Sequence, residues 1–270
     1  MGQLATTTSQ QLIIDIGNIP VAVRTDSPKF LRMLENRYSG FLNADAQPVF
    51  EFDVELVCVD KISDSEDVAV HFEQGMWLIE RGDLRTEFDP ATHRGRIVLS
   101  ANPYSIDSAL RILHSLLLAR EGGLLVHAAG AVRNGKAFLF AGVSGAGKTT
   151  ISRLAPPDVA LLTDEISYLR RNGHGYIAHG TPFAGELAKV GENIQAPLAA
   201  LFLLRQAPEN KIQPVSEGEA LRAVMESILF FAHDSELVNQ VFESACDLVR
   251  QVPVFRLSFV PDHRVWELIV

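Results

Sequence analysis

The chain is poor in the features that mark several common classes of protein. It carries two cysteines in 270 residues, Cys58 and Cys246. They lie far apart without metal-ligand neighbours, so neither a disulfide scaffold nor a cysteine-based metal site is expected. Two isolated thiols in a chain of this length read as reduced core residues of a cytoplasmic protein. Cations are scarce as well: 24 Lys and Arg stand against 33 Asp and Glu, a formal net charge of −9. No dense basic block occurs, and a nucleic-acid backbone needs a positive face, so no nucleic-acid partner is expected. No run is long and apolar enough to span a bilayer. The first residues lack the basic start and apolar core of a secretory signal; Gly2 and Thr6 fit only a loose myristoylation pattern. What is abundant is ordinary core material: 47% of residues are hydrophobic, which argues against intrinsic disorder, and a chain this long can bury a core without staples.

The patterning changes along the chain. Leu12–Ile16 and Val21–Arg24 are short β-rich runs, and Ser27-Pro28 reads as a helix start running through Phe30, Leu31 and Leu34. From Phe50 to Val59 the residues alternate: Phe50, Phe52, Val54, Leu56 and Cys58 share one face, as a half-buried strand requires. Runs at 68–72, 77–81, 84–88 and 96–100 are separated by turn formers and predict an antiparallel meander. Ile106, Leu110, Leu113 and Leu117 then recur at helical spacing over Ser105–Arg120, ahead of Gly122-Gly123. Beyond it come strands at 124–131 and 137–141 around Asn134-Gly135, then at 159–162, 199–204 and 254–257. Helices are predicted at 217–231, with Leu221, Val224, Ile228 and Leu229 as a core stripe, and at 235–250. This mixture indicates an α/β layer. We therefore expect two domains, 1–120 and 121–270, with the helix before residue 120 assignable to either.

One segment carries specific chemistry. Gly142-Val143-Ser144-Gly145-Ala146-Gly147-Lys148-Thr149 fits the phosphate-binding loop pattern in full, after an apolar run and before a helix that includes Thr150. Glycines remove side chains so that backbone N–H groups can surround phosphate oxygens. Lys148 can then reach the β- and γ-phosphates, and the Thr149 hydroxyl can ligate Mg²⁺. An apolar run ending in Asp164-Glu165 follows, sixteen positions after Lys148. That gap holds one short helix and one return strand, which favours a compact kinase over motor or transport ATPases. Two further signals are weaker: His127 in an apolar run, where a histidine is more often a satisfied core residue, and the shaped segment His179–Glu186. Arg205 and Lys211 flank the strand 199–204 and are candidates to reach a phosphate, while Trp77 and Trp266 read as packing residues.

Taken together, His127, Gly142–Thr149 and Asp164-Glu165 resemble the catalytic domain of HPr serine kinase/phosphorylase and the nucleotide site of ATP-dependent phosphoenolpyruvate carboxykinase. His127 stands fifteen residues before Gly142, and the kinase family begins a strand with a His at about this distance. Gly180-Thr181-Pro182-Phe183-Ala184-Gly185-Glu186 resembles a loop of HPr-kinase-related proteins of uncertain substrate, and the tail from Val252 to Trp266 is similar to theirs. The resemblance covers about residues 121–270. It implies an α/β (α+β overall) P-loop kinase core of the HPr kinase/phosphoenolpyruvate carboxykinase type, behind an N-terminal, mostly antiparallel β domain.

By the same resemblance, Gly142, Ser144, Gly145, Ala146, Gly147, Lys148, Thr149 and Thr150 bind ATP. Thr149, Asp164 and Glu165 hold Mg²⁺, Asp164 is the base on the acceptor hydroxyl, and His127 supports that acid. The family's later signature loop, with its Glu and Arg, has no recognisable counterpart, which weakens the case for phosphorylase activity and for HPr as partner. The chain is also too short for a phosphoenolpyruvate carboxykinase. The expected activity is ATP- and Mg-dependent phosphorylation of a Ser or Thr hydroxyl on a peptide or protein. A small-molecule hydroxyl kinase and an inactive nucleotide-binding module remain open, as does a homo-oligomer.

Overall fold

The computed structural model describes residues 10–58 and 68–270. The Gly2/Thr6 pattern and Val59, the end of one predicted strand, lie outside the described residues. The fold is mixed α/β, mostly strands, with two sheets and few helices. No helix among the described residues is long and apolar enough to cross a membrane. Two compact units form: Met1–Leu113 with Phe231–Asp234, and His114–Phe230 with Ser235–Val270. The division falls inside the helix whose side was left open by the sequence.

In the first unit, β1 (Gln10–Ile16) and β2 (Ile19–Thr25) form a hairpin. Gly17 and Asn18 at its tip have φ of 63° and 60°, the positive values that match a two-residue turn to strand twist. The helix α1 (Pro28–Arg37) starts as predicted: the Ser27 hydroxyl accepts the Phe30 N–H at 3.3 Å and Pro28 presets the first turn. Its crossover makes β2 parallel to β3 (Phe50–Leu56). Then β4 (Ala69–Glu73), β5 (Met76–Arg81), β6 (Leu84–Asp89) and β7 (Arg94–Leu99) form the predicted meander, in the order β1-β2-β3-β7-β6-β5-β4. The sheet is antiparallel except at β2–β3 and β3–β7. Phe50, Phe52 and Val54 are buried as the alternation requires. Cys58 is exposed and Cys246 is half-buried, both as free thiols. The core reading of Cys58 is thus overturned, because the ladder stops at Leu56 and the inward face ends with it.

The helix α2 (Pro103–Glu121) buries Ile106, Leu110, Leu113 and Leu117. In the second unit, β8 (Leu124–Arg133) and β9 (Lys136–Ala141) pair antiparallel around Asn134 and Gly135. A short helix α3 (Lys148–Arg153) follows, then β10 (Ala160–Thr163), β11 (Ile166–Asn172), β12 (Gly175–His179), β13 (Gln195–Gln206) and β14 (Lys211–Pro214). The helices α4 (Glu217–Ser227) and α5 (Ser235–Gln251) precede β15 (Val254–Phe259). The eight-stranded sheet runs β10-β8-β11-β12-β13-β15-β14, with β9 paired to both β8 and β13. β9 and β15 are parallel to β13.

Phe138, Phe140, Ile151, Phe202, Phe259 and Trp266 belong to one buried cluster beside the β9–α3 connection. The predicted helix 217–231 stops at Ser227, because the chain there turns to β8: Leu229 N–H donates to the Leu125 carbonyl at 2.8 Å. Of its expected core stripe only Val224 is fully buried.

Candidate functional site

The segment Gly142–Gly147 links the end of β9 to the start of α3, and its backbone is held from several sides. Gly147 has φ of 114° and Gly145 φ of 78°, conformations that favour glycine. Lys148 Nζ donates to the Gly142 carbonyl at 2.8 Å, folding the lysine back along the loop. Gln206 Nε2, at the end of β13, donates to the Gly145 carbonyl at 2.8 Å. Ala146 is buried in the hydrophobic cluster and acts as the loop's anchor rather than as lining.

The acid pair arrives by a break in the sheet edge. β10 and β11 both pair with β8, Thr163 opposite Gly130 and Ile166 opposite His127. The turn between them therefore places Asp164-Glu165 beside this stretch of β8. The Thr163 hydroxyl shapes that turn, accepting the N–H groups of Glu165 and Ile166 at 3.1 and 3.0 Å. Asp164 is 5% exposed. Its two carboxylate oxygens accept the N–H groups of Gly185 and Leu187 at 2.8 and 2.9 Å. A Cβ at position 185 would lie 3.0 Å from Asp164 Oδ2, so glycine allows this approach. Between the two bound amides sits Glu186, whose Oε2 accepts the Thr149 hydroxyl at 3.0 Å.

These pieces enclose a cavity of about 330 Å³ lined by His127, Ser144, Gly145, Gly147, Lys148, Thr149, Thr150, Asp164, Glu165, Gly185 and Glu186. All the predicted site residues line it except Gly142 and Ala146, which build the loop behind. His127 is exposed toward solvent, so the core-histidine reading does not apply. Arg205 and Lys211 are not among the lining residues. His179 points elsewhere: it is buried against Tyr168, ring centroids 5.9 Å apart.

Charge in the cavity is lopsided, with three carboxylates and one lysine. Burial lowers the Lys148 pKa from its ordinary value, and Glu165 and Glu186 act in the opposite direction. No group of three or more His, Cys, Asp or Glu able to hold a metal by itself occurs among the described residues. Thr149, Asp164 and Glu165, the residues expected to hold a metal, all line the cavity, and their oxygens are of the kind that a hard cation takes.

A larger cavity of about 620 Å³ lies in the first unit, lined by Arg24, Asp53, Glu55 and Arg96 among others. Its arginines are paired, Arg24 with Glu51 at 2.6 Å and Arg96 with Glu55.

Gly185 and Glu186 were visible in the sequence only as parts of a shaped loop, without a role. Gln206, bonded to Gly145, and Phe259, whose ring lies against Gly147, gave no signal, because their contacts to the glycine-rich loop depend on how β13 and β15 pair.

Comparison with curated proteins returns no match. Residues 102–270, which contain the whole cavity lining, match the family model described as SynChlorMet cassette protein ScmC. The match spans more than half of the chain, and the protein therefore belongs to the ScmC family.

Proposed function

We propose that this chain is an ATP- and Mg-dependent phosphotransferase that modifies a hydroxyl group, with a peptide or protein as acceptor, and that its second unit is a P-loop kinase core of the HPr-kinase type. The observation that carries this reading is convergence. Lys148, Thr149, Asp164, Glu165 and His127 come from three separate chain segments and line one cavity.

In this reading the amides of Gly145, Gly147 and Lys148 surround the β- and γ-phosphates, and Lys148 neutralises part of their charge. Thr149 and Glu165 would hold Mg²⁺, which supplies charge neutralisation on the phosphate oxygens. Asp164 accepts the proton of the acceptor hydroxyl, its carboxylate oriented by the two loop amides it binds. His127 lies across from Ile166 in the sheet register, where it can orient the acceptor or the acid. Desolvation of the cavity strengthens each of these electrostatic contacts.

The test has two arms. Isothermal titration should give micromolar Mg·ATP binding by the wild type and a loss of about tenfold or more in Lys148→Ala. Equal, tight binding in both would remove Lys148 from the phosphate role. Transfer of label from γ-labelled ATP into fractions of host lysate identifies the acceptor class. Binding without transfer to protein, peptide or small-molecule fractions would replace the kinase with a nucleotide-binding module.

A further inference from the structure

We propose that Glu186 sets the metal dependence of triphosphate binding, making the site accept the metal complex and reject the free nucleotide; this rests on the phosphotransferase reading above. The position of Glu186 is built rather than incidental. The amides on either side of it, those of Gly185 and Leu187, are both held by the Asp164 carboxylate. Its backbone is therefore fixed at two points, and its side chain spans to the Thr149 hydroxyl at 3.0 Å. Gly185 is free of a side chain where a Cβ would press within 2.9 Å of Glu165 Cβ.

Two consequences follow from that placement. A hydroxyl has one proton and two lone pairs. With its proton given to Glu186, the Thr149 oxygen keeps its lone pairs for other partners. The second consequence is electrostatic. Glu186 places a full negative charge at the foot of the phosphate loop, beside Glu165 and Asp164, against Lys148 alone. Free triphosphate meets net repulsion there, whereas a triphosphate neutralised by a divalent cation meets attraction.

The experiment is calorimetric measurement of ATP affinity with Mg²⁺ and with EDTA, on the full chain and on Glu186→Gln, Glu186→Ala and Glu186→Asp. Glutamine keeps an acceptor for Thr149 and removes only the charge. The expected result is a wide preference for Mg·ATP in the wild type that narrows by about tenfold in Glu186→Gln and Glu186→Ala, in part because free ATP binds more tightly. Glu186→Asp should retain most of the preference. If the two neutral variants keep the wild-type ratio, even with both affinities lowered together, Glu186 only pins the loop and the proposal is overturned. A wild type that binds no ATP in either condition overturns the nucleotide-site reading itself, and this inference with it. Binding of Mn²⁺ in the presence of ATP, followed by paramagnetic relaxation of water, gives the same contrast without relying on turnover.

Discussion

Gly147 lies against the ring of Phe259: a Cβ placed on the glycine would sit 2.6 Å from Phe259 Cζ. The same glycine has φ of 114°. Gly147→Ala therefore meets two penalties, a left-handed backbone of about 1–2 kcal/mol and an overpacked contact of about 1–3 kcal/mol. For a unit of this size the melting temperature should fall by about 5–15 °C. Adding Phe259→Leu should recover part of that loss, since it relieves the contact but not the backbone. A double-mutant cycle in melting temperature checks this. No coupling between the two positions would show that the ring moves aside freely.

Asp164 holds the loop as well as facing the cavity, and this matters for interpreting its variants. Asn offers one acceptor oxygen and a donor NH₂, so one of the two loop amides would lose its acceptor and face a donor instead. A hydrogen bond to a charged group contributes about 1.5–3 kcal/mol. Amide exchange at Gly185 or Leu187 should therefore accelerate by about 10–100-fold in Asp164→Asn. Unchanged exchange at both would mean that the loop holds itself. A loss of the proposed phosphate transfer in this variant, taken alone, would report the loop and the proposed proton acceptor together, so the exchange measurement is needed beside it.

What could be read in advance was local. The Asn134-Gly135 hairpin, the Ser27-Pro28 helix start and the glycines of the loop before α3 are each specified within a few residues. The acid pair was legible through its short distance from Lys148. The parallel pairings β2–β3, β3–β7 and β13–β15 were not, because register between distant strands is set by packing that no local pattern encodes. The end of α4 was misread for a related reason. Ile228 and Leu229 continue the helical stripe, but backbone bonding to β8 captures them. Glu186 was missed because its meaning lies in Asp164 and Thr149, which the fold and not the spacing brings to it.

Two buried histidines in the second unit make a pH prediction. His114 is pushed down to about 3, first by burial and then by Arg170; His179 is pushed down to about 4 by the same causes. His114 Nδ1 lies 3.0 Å from the Tyr168 hydroxyl, and its Nε2 has no hydrogen-bond partner among the described residues. In the unfolded chain both titrate near 6.5. Between that value and about 4, the unfolded chain binds more protons than the folded one. Stability is thus full above pH 6.5 and declines as pH falls, by about 2 kcal/mol per histidine at pH 5. Melting temperature between pH 7 and 5 should fall, with a shallower slope in His179→Gln. A slope unaffected by that substitution would show that His179 titrates alike in both states.

The C-terminal turn packs against the helix that follows the glycine-rich loop. A six-residue helix such as α3 leaves its last carbonyls without intrahelical partners. Trp266 Nε1 supplies one, donating to the Ile151 carbonyl at 3.1 Å, while its ring packs edge-on against Phe140 with centroids 5.5 Å apart. The side chain is 2% exposed. Trp266→Ala should remove about 3–5 kcal/mol through the lost packing. Trp266→Phe retains a ring and forfeits the hydrogen bond, leaving a buried carbonyl unpaired, and should remove about 1–3 kcal/mol. Thermal melting gives the order, and amide exchange in α3 shows whether the loss is felt there. Equal losses in both variants would mean that the single hydrogen bond, rather than ring packing, fixes the end of the loop helix.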